Sequence, residues 1–240
     1  MPITSAIEAD LHVHTIASGH AYSTINEIAA EAARRRLRLI GMTDHGPALP
    51  GGPHPYHFLA LRFVPRHIAG VRILRGIEAN ILGDDLLDME DHQLGHLELV
   101  LAGFHSGCGY TGDTREQHTR AALSVMDKPQ VHAICHPGNP EFLLDYQALA
   151  RHAAATGTAL EINNSSFQVS RAGSENNCRR LAACCAEFGS PVILGSDAHI
   201  AQGVGQLDRA YAEALEAGIR PEQIVNRTLE STLAFLGLED

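Results

Sequence analysis

The chain has 240 residues, 45% of them hydrophobic, and a formal net charge of −10 with histidine counted as neutral. That length suits one large domain, residues 1–240, and the acidic balance argues against a nucleic-acid partner, which needs a basic stripe. No apolar run reaches the roughly eighteen residues of a membrane helix. Met1-Pro2-Ile3-Thr4-Ser5 lacks the basic and apolar regions of a signal peptide, so no membrane partner is expected and the cytoplasm is the default location.

Short runs rich in Val, Ile and Leu alternate with helical patterns along the chain. The first strand is expected over Ala9–Val13, followed by a helix over Thr24–Arg36 capped by Ser23 or Thr24. A second strand, Leu37–Met42, leads into the turn-rich loop Gly46–Pro53. Strands follow over Val71–Ile77 and Leu97–Phe104, then a helix over Thr114–Met126. Strand Val131–Cys135, helix Asp145–Ala155, strand Ala159–Ile162, helix Ser174–Phe188 and strand Pro191–Leu194 continue the alternation, and helices Leu207–Glu216 and Arg227–Leu236 end it. Strands alternating with helices imply an α/β fold with parallel pairing, and seven such units favour a closed barrel over an open sheet.

Composition supplies two outliers. There are 15 histidines, while Lys128 is the only lysine. The cysteines, Cys108, Cys135, Cys178, Cys184 and Cys185, are odd in number and fit no zinc-ribbon spacing, so free thiols are expected, with Cys178 and Cys185 facing the core.

The histidines gather where the strands end. The first run leads through Asp10-Leu11-His12-Val13-His14, the second into Thr43-Asp44-His45, and the third into Gly76-Ile77-Glu78. The fourth ends at His105, the fifth at His136, the sixth in Glu161-Ile162-Asn163-Asn164, and the seventh in Gly195-Ser196-Asp197-Ala198-His199. In a parallel barrel these ends converge on one mouth, where active sites lie. Residues i and i+2 of a strand share a face, so His12 and His14, or Asp197 and His199, can grip one ion. Imidazole with carboxylate suits zinc, manganese or iron. His20, in a loop, reads by position alone as a solvated side chain. His54, His57, His67, His92, His96, His118, His132 and His152 lie off the pattern and read as structural or solvated.

These motifs resemble the PHP (polymerase and histidinol phosphatase) superfamily, and within it the YcdX-like phosphatases. The resemblance rests on Asp10–Thr15, Thr43–Gly46 and Gly195–His199, and on Ser18–Thr24, Ile73–Ile81, Cys135–Pro140, Ala159–Phe167 and Ser170–Cys178, covering about residues 9 to 235. It implies a distorted (β/α)7 barrel holding three divalent ions per chain, usually zinc, and a homo-oligomer such as a trimer. By motif, His12, His14, Glu78 and Asp197 would hold the first ion. Glu78 would bridge to the second, completed by His105 and His136, and His20, His45 and His199 would hold the third. The match makes His20 a ligand. Two segments depart from the family, Leu82–His96 and Ser106–Gly109, and both bear on substrate preference.

The expected chemistry follows from charge. Seven neutral imidazoles and two carboxylates carry −2, three divalent ions +6, and a bridging hydroxide leaves about +3, a match for a small phosphorylated substrate. Metal-bound water is acidic enough to supply hydroxide near neutral pH, here expected to attack phosphorus in line. Arg171 is a candidate phosphate clamp and Asp44 a partner orienting a histidine; Tyr22, Asn163 and Asn164 are candidate pocket residues. A histidinol-phosphatase-type enzyme and a non-catalytic metal-binding module are the alternatives. A metal-dependent amidohydrolase that uses a carbamylated lysine is disfavoured, because Lys128 precedes the fifth strand, at the wrong end of the barrel.

Overall fold

The computed structural model describes residues 7–240; the Met1–Ser5 stretch read above for targeting lies outside them. Nine strands are present among the described residues: β1 (Ala9–Val13), β2 (Leu39–Met42), β3 (His67–Ile68), β4 (Val71–Gly83), β5 (Leu86–Leu87), β6 (Leu99–Gly103), β7 (Ala133–Ile134), β8 (Ala159–Asn163) and β9 (Val192–Gly195). The helices are α1 (Ile25–Arg34), α2 (Pro55–Ala60), α3 (Asp91–Leu94), α4 (Arg115–Met126), α5 (Tyr146–Thr156), α6 (Ser174–Phe188), α7 (Asp208–Glu216) and α8 (Leu229–Leu236).

Seven strands pair in parallel in the order β1-β2-β4-β6-β7-β8-β9, each matching an expected apolar run. The ring nearly closes, because Val13 forms a parallel bridge to Ala198 beyond β9. His14 N donates to Ala198 O at 2.9 Å, and Asp197 N donates to His12 O at 2.9 Å. The seam of the barrel is therefore made by the backbone of candidate site residues.

β4 runs six residues past its expected end at Ile77. Its first half pairs with β2 and its second, from Gly76 to Asn80, with β6. A Cβ on Gly76 would stand 2.8 Å from Leu99 O and 2.9 Å from Met42 O, so only glycine fits where the strand passes from one neighbour to the other. Past the barrel β4 folds back on β5, and β3 pairs antiparallel with its start. β7 is shorter than expected, because the chain turns at His136, which has φ 31°.

Side chains segregate by face. Ala9, Leu11, Leu39, Leu74, Leu99, Leu101, Ala133, Cys135, Ala159 and Ile193 pack inside the barrel, plugged at one end by Leu229, Leu233 and Leu236 of α8. The opposite faces, with Ile40, Ile73, Val100, Ile134, Leu160 and Leu194, pack against the surrounding helices, including Ile28 of α1 and Leu181 of α6. Thr24 is the cap of α1, and its side chain accepts from Glu27 N while Glu27 returns a bond to Thr24 N at 2.7 Å. All five thiols are unpaired, and Cys178 and Cys185 are buried on α6. No helix among the described residues is long and apolar enough to cross a membrane.

Candidate metal centre

β1 carries one extra residue relative to β2: Asp10 pairs with Ile40 and Val13 with Met42, so three steps oppose two. This bulge changes which side chains point inward. Ala9 and Leu11 fill the apolar interior, whereas Val13 joins the outer core and His12 and His14 face the carboxylates inside. The i, i+2 spacing places both histidines together, but the bulge puts them on the inward face.

Seven imidazoles form one continuous cluster at the C-terminal ends of the strands. Ring centroids lie 5.1 Å apart for His12 and His14, 4.3 Å for His14 and His45, and 4.3 Å for His14 and His199. His20 stands 5.0 Å from His45 and 4.8 Å from His199, and His105 stands 4.9 Å from His45 and 5.0 Å from His136. His12, His14 and Glu78 are fully buried, His105 and His199 are half-buried, and His20 is exposed. The cluster thus runs from a deep end over the apolar barrel core to a solvent-facing rim.

Glu78 lies at its centre, in mid-strand rather than at a strand end. Its Oε1 is 2.6 Å from His136 Nε2, 3.2 Å from His105 Nε2 and 3.3 Å from His12 Nε2; Oε2 is 2.6 Å from His45 Nδ1 and 3.5 Å from His14 Nε2. Asp197 Oδ1 is 3.3 Å from His14 Nε2 and 3.7 Å from His12 Nε2. His20 Nε2 and His199 Nε2 are 3.0 Å apart. Four overlapping triads have all their ligand atoms within 4.8 Å of one another: His12–His14–Asp197, His12–Glu78–His136, His45–Glu78–His105 and His14–His45–His199. All nine residues singled out as ligands are therefore brought together, with His45 leaning toward Glu78 as well as toward the rim.

Five buried polar atoms here make no well-directed hydrogen bond, although some lie close to one another: His12 Nε2, His14 Nε2, His45 Nδ1, Glu78 Oε2 and Asp197 Oδ1. A buried polar atom left unpartnered costs about 1–3 kcal/mol, and five around one point fit a cation. The donor set, imidazole nitrogen with carboxylate oxygen, is that of zinc, manganese or iron sites.

Protonation suits the same use. Burial opposes charge on Glu78, but His45, His12 and His105 outweigh it and hold the carboxyl well below its usual range. Asp197 is likewise driven low despite burial, by Arg171, His12 and His14. Burial pushes His14 down to about 3, with repulsion from His45, and His136 down to about 3, with repulsion from Arg171. His12 differs: burial disfavours its charge, yet Glu161, Glu78 and Asp197 together raise it well above its usual value. A proton on His12 Nε2 and a metal ion would compete for one lone pair.

Glu161 is the residue that sequence reasoning passed over. It sits on β8 between inward-facing Ala159 and Asn163, buried, with Oε1 2.7 Å from His12 Nδ1 and Oε2 accepting from His136 N at 2.6 Å. Accepting the Nδ1 proton leaves His12 Nε2 bare toward Glu78 and Asp197. Gly195 makes room for this pair, since a Cβ there would stand 2.8 Å from His12 Cβ and collide with Glu161. Inward parity along the sixth strand was the available signal. Glu161→Gln keeps the volume and is expected to weaken metal affinity about 10- to 100-fold, read by competition with a chromogenic chelator; wild-type affinity would refute a supporting role.

The other candidates have defined partners. The Asp44 carboxylate bonds none of the nine directly, although its backbone carbonyl accepts from Glu78 N at 3.0 Å. Its Oδ1 accepts from Thr15 N and Ser18 Oγ, each at 2.7 Å, and its Oδ2 from Thr15 Oγ1 at 2.8 Å and lies 3.3 Å from His57 Nε2. With its proton given to Asp44, Ser18 Oγ accepts from His14 Nδ1 at 3.2 Å. Arg171, at φ 52°, donates from Nη1 to Asp197 Oδ2 at 2.9 Å. Asn163 Nδ2 donates to Glu161 and Asp197, while Asn164 instead accepts from Ala210 N at the start of α7, away from the cluster. Tyr22 N donates to His199 O at 2.7 Å and its side chain is exposed. Away from the cluster, His118, His132 and His152 bond Leu143 O, Val100 N and Asp127.

Known proteins share this architecture. A family profile for the PHP domain matches residues 10–153. A probable phosphatase of Syntrophotalea carbinolica is 61% identical over 238 residues, covering 99% of both chains. Another from Acetivibrio thermocellus is 46% identical over 222 residues, 92% of this chain and 91% of that one. Among solved structures, the histidinol phosphate phosphatase of Lactococcus lactis, complexed with zinc, L-histidinol and phosphate, superposes with a TM-score of 0.63 at 18% identity, over 89% of this chain and 94% of that one. The fold, the profile across more than half of the sequence and a near full-length relative agree: this chain belongs to the PHP-domain family.

Proposed function

We propose that the chain is a metal-dependent phosphoric monoester hydrolase acting on a small phosphorylated substrate. The observation that carries this reading is the set of five buried atoms without a well-directed hydrogen bond on His12, His14, His45, Glu78 and Asp197. The names of the relatives, probable phosphatases, support it. In the reading, His12, His14, Glu78 and Asp197 hold a first ion, Glu78, His105 and His136 a second, and His20, His45 and His199 a third. When bound, the three divalent ions, zinc first among them, would supply Lewis acidity and a bridging hydroxide as nucleophile.

The chain's own residues do the rest. Glu161 and the Ser18–Asp44 pair hold the Nδ1 protons of His12 and His14, so both present Nε2. Arg171 neutralises the outer oxygen of Asp197 and keeps the remainder of its guanidinium beside the cluster, positioned to meet a phosphate oxygen. The apolar interior beneath, lined by Leu11, Leu74 and Leu101, keeps bulk water from the buried side. Exposed His20 and half-buried His199 mark the side from which substrate arrives.

The test is metal analysis of the purified protein together with hydrolysis of p-nitrophenyl phosphate. About three ions per chain and metal-dependent release of nitrophenol are expected. A histidinol-phosphatase-type specificity would show as strong preference for histidinol phosphate. Metal uptake with no turnover of any phosphate monoester would favour a non-catalytic module.

A further inference from the structure

The hairpin after β4 sends one carboxylate back into the barrel mouth. Asp88 accepts from Asn80 N at 2.8 Å and Ala48 N at 2.9 Å, and from Asn80 Nδ2 at 2.5 Å. Asn80 Oδ1, on the other end of the same amide, is 2.7 Å from His105 Nδ1. Cys108 Sγ also donates to that oxygen, at 3.2 Å. Asn80 is fully buried, so water cannot replace either contact.

We infer that Asp88 is a positioning residue that selects the tautomer of His105 through the amide of Asn80. The argument is one of donors and acceptors. A carboxylate already receiving backbone N–H groups on both oxygens only accepts, so the Asn80 NH2 end must face Asp88. The amide is planar, which turns Oδ1 toward His105. An oxygen only accepts, so His105 carries its proton on Nδ1. Nε2 is then a bare lone pair, 3.2 Å from Glu78 Oε1 and 3.2 Å from His136 Nε2. Reversing the amide would place a donor on Nδ1, move the proton to Nε2 and disable it as a ligand.

The inference rests on the metal-site reading above, and its test separates the two. Asp88→Asn replaces one of the two acceptor oxygens by an NH2 donor, which opposes the Asn80 amide and Ala48 N in one orientation and Asn80 N in the other, so neither keeps all three bonds. Asn80→Ala removes the amide but leaves the backbone bonds of Asp88 from residue 80 and Ala48. Zinc affinity would be measured by chelator competition for wild type, both single variants and the double variant, and His105 would be followed in ¹⁵N-histidine spectra of the metal-free chains. Asp88→Asn is expected to lose about 10- to 100-fold in affinity at one site and to shift His105 away from the Nδ1–H form. In the Asn80→Ala background the same change is expected to add nothing, because the relay is already cut.

An equal loss in both backgrounds would overturn the relay and leave Asp88 as a clamp on the Gly46–Pro53 loop. Wild-type affinity in Asp88→Asn would also overturn it. Should Asp88→Asn fail to fold, an unchanged His105 spectrum in Asn80→Ala is decisive against the relay. If wild type binds no zinc, the metal-site reading falls, while the metal-free spectra still decide the tautomer.

Discussion

Glu78→Ala is expected to lower kcat for p-nitrophenyl phosphate about a thousandfold or more, which is ~4 kcal/mol of transition-state stabilisation at ~1.36 kcal/mol per decade. No other side chain touches so much of the centre: its two oxygens lie within 3.5 Å of nitrogens on His12, His14, His45, His105 and His136. Removing it takes one charge from every ion pair it serves and leaves imidazoles facing one another across a buried gap. Metal content should fall with activity. Glu78→Gln separates charge from volume: it fills the same space but carries one oxygen and no charge, so it too should fail. Either variant keeping both full activity and full metal content would refute a centre built on Glu78. Loss of activity with all metal retained would instead make Glu78 a participant in turnover rather than a holder of ions.

Chelation is expected to destabilise the fold itself. One site whose free ion stands at about a thousand times its Kd contributes ~4 kcal/mol to stability. At ~2–4 °C per kcal/mol for a chain of this size, that is a fall in Tm of roughly 8–16 °C for each site emptied. The structural reason is local. With no cation, five buried polar atoms make no well-directed hydrogen bond, and Asp197 holds φ 56° and His136 φ 31°, conformations that L-residues seldom adopt. These two residues belong to the loops that follow β9 and β7, so the seam between β1 and Ala198 should loosen first. Thermal melts with and without a strong chelator, followed by re-addition of zinc, measure the effect. An unchanged Tm with the metal demonstrably removed would show that the barrel does not depend on it.

Much of the fold and of the centre was legible in the chain by itself. Val, Ile and Leu runs of strand length, alternating with capped amphipathic stretches, determined seven parallel strands, because a strand buried on both faces must be apolar throughout. The positions of His12 near the end of the first run, and of His14, His45, His105, His136, Asp197 and His199 just beyond theirs, pointed to one mouth, because parallel strands bring their C-terminal ends together. Residues whose reading depends on parity or on distant partners were decided only by the tertiary structure. Glu78 looked like a strand terminator, since a lone buried carboxylate is costly; five imidazoles gathered from four other parts of the chain make mid-strand burial stable. The β1 bulge that turns His12 and His14 inward exists only against the register of β2. Asn80 and Glu161 lie inside motif segments that gave them no role and Asp88 lies in none; their roles come from hydrogen bonds to His12 and toward His105, residues 149 and 25 positions away from Glu161 and Asn80 in sequence. A linear chain shows which side chains can accept or donate a proton, but which atom each one faces is settled by packing.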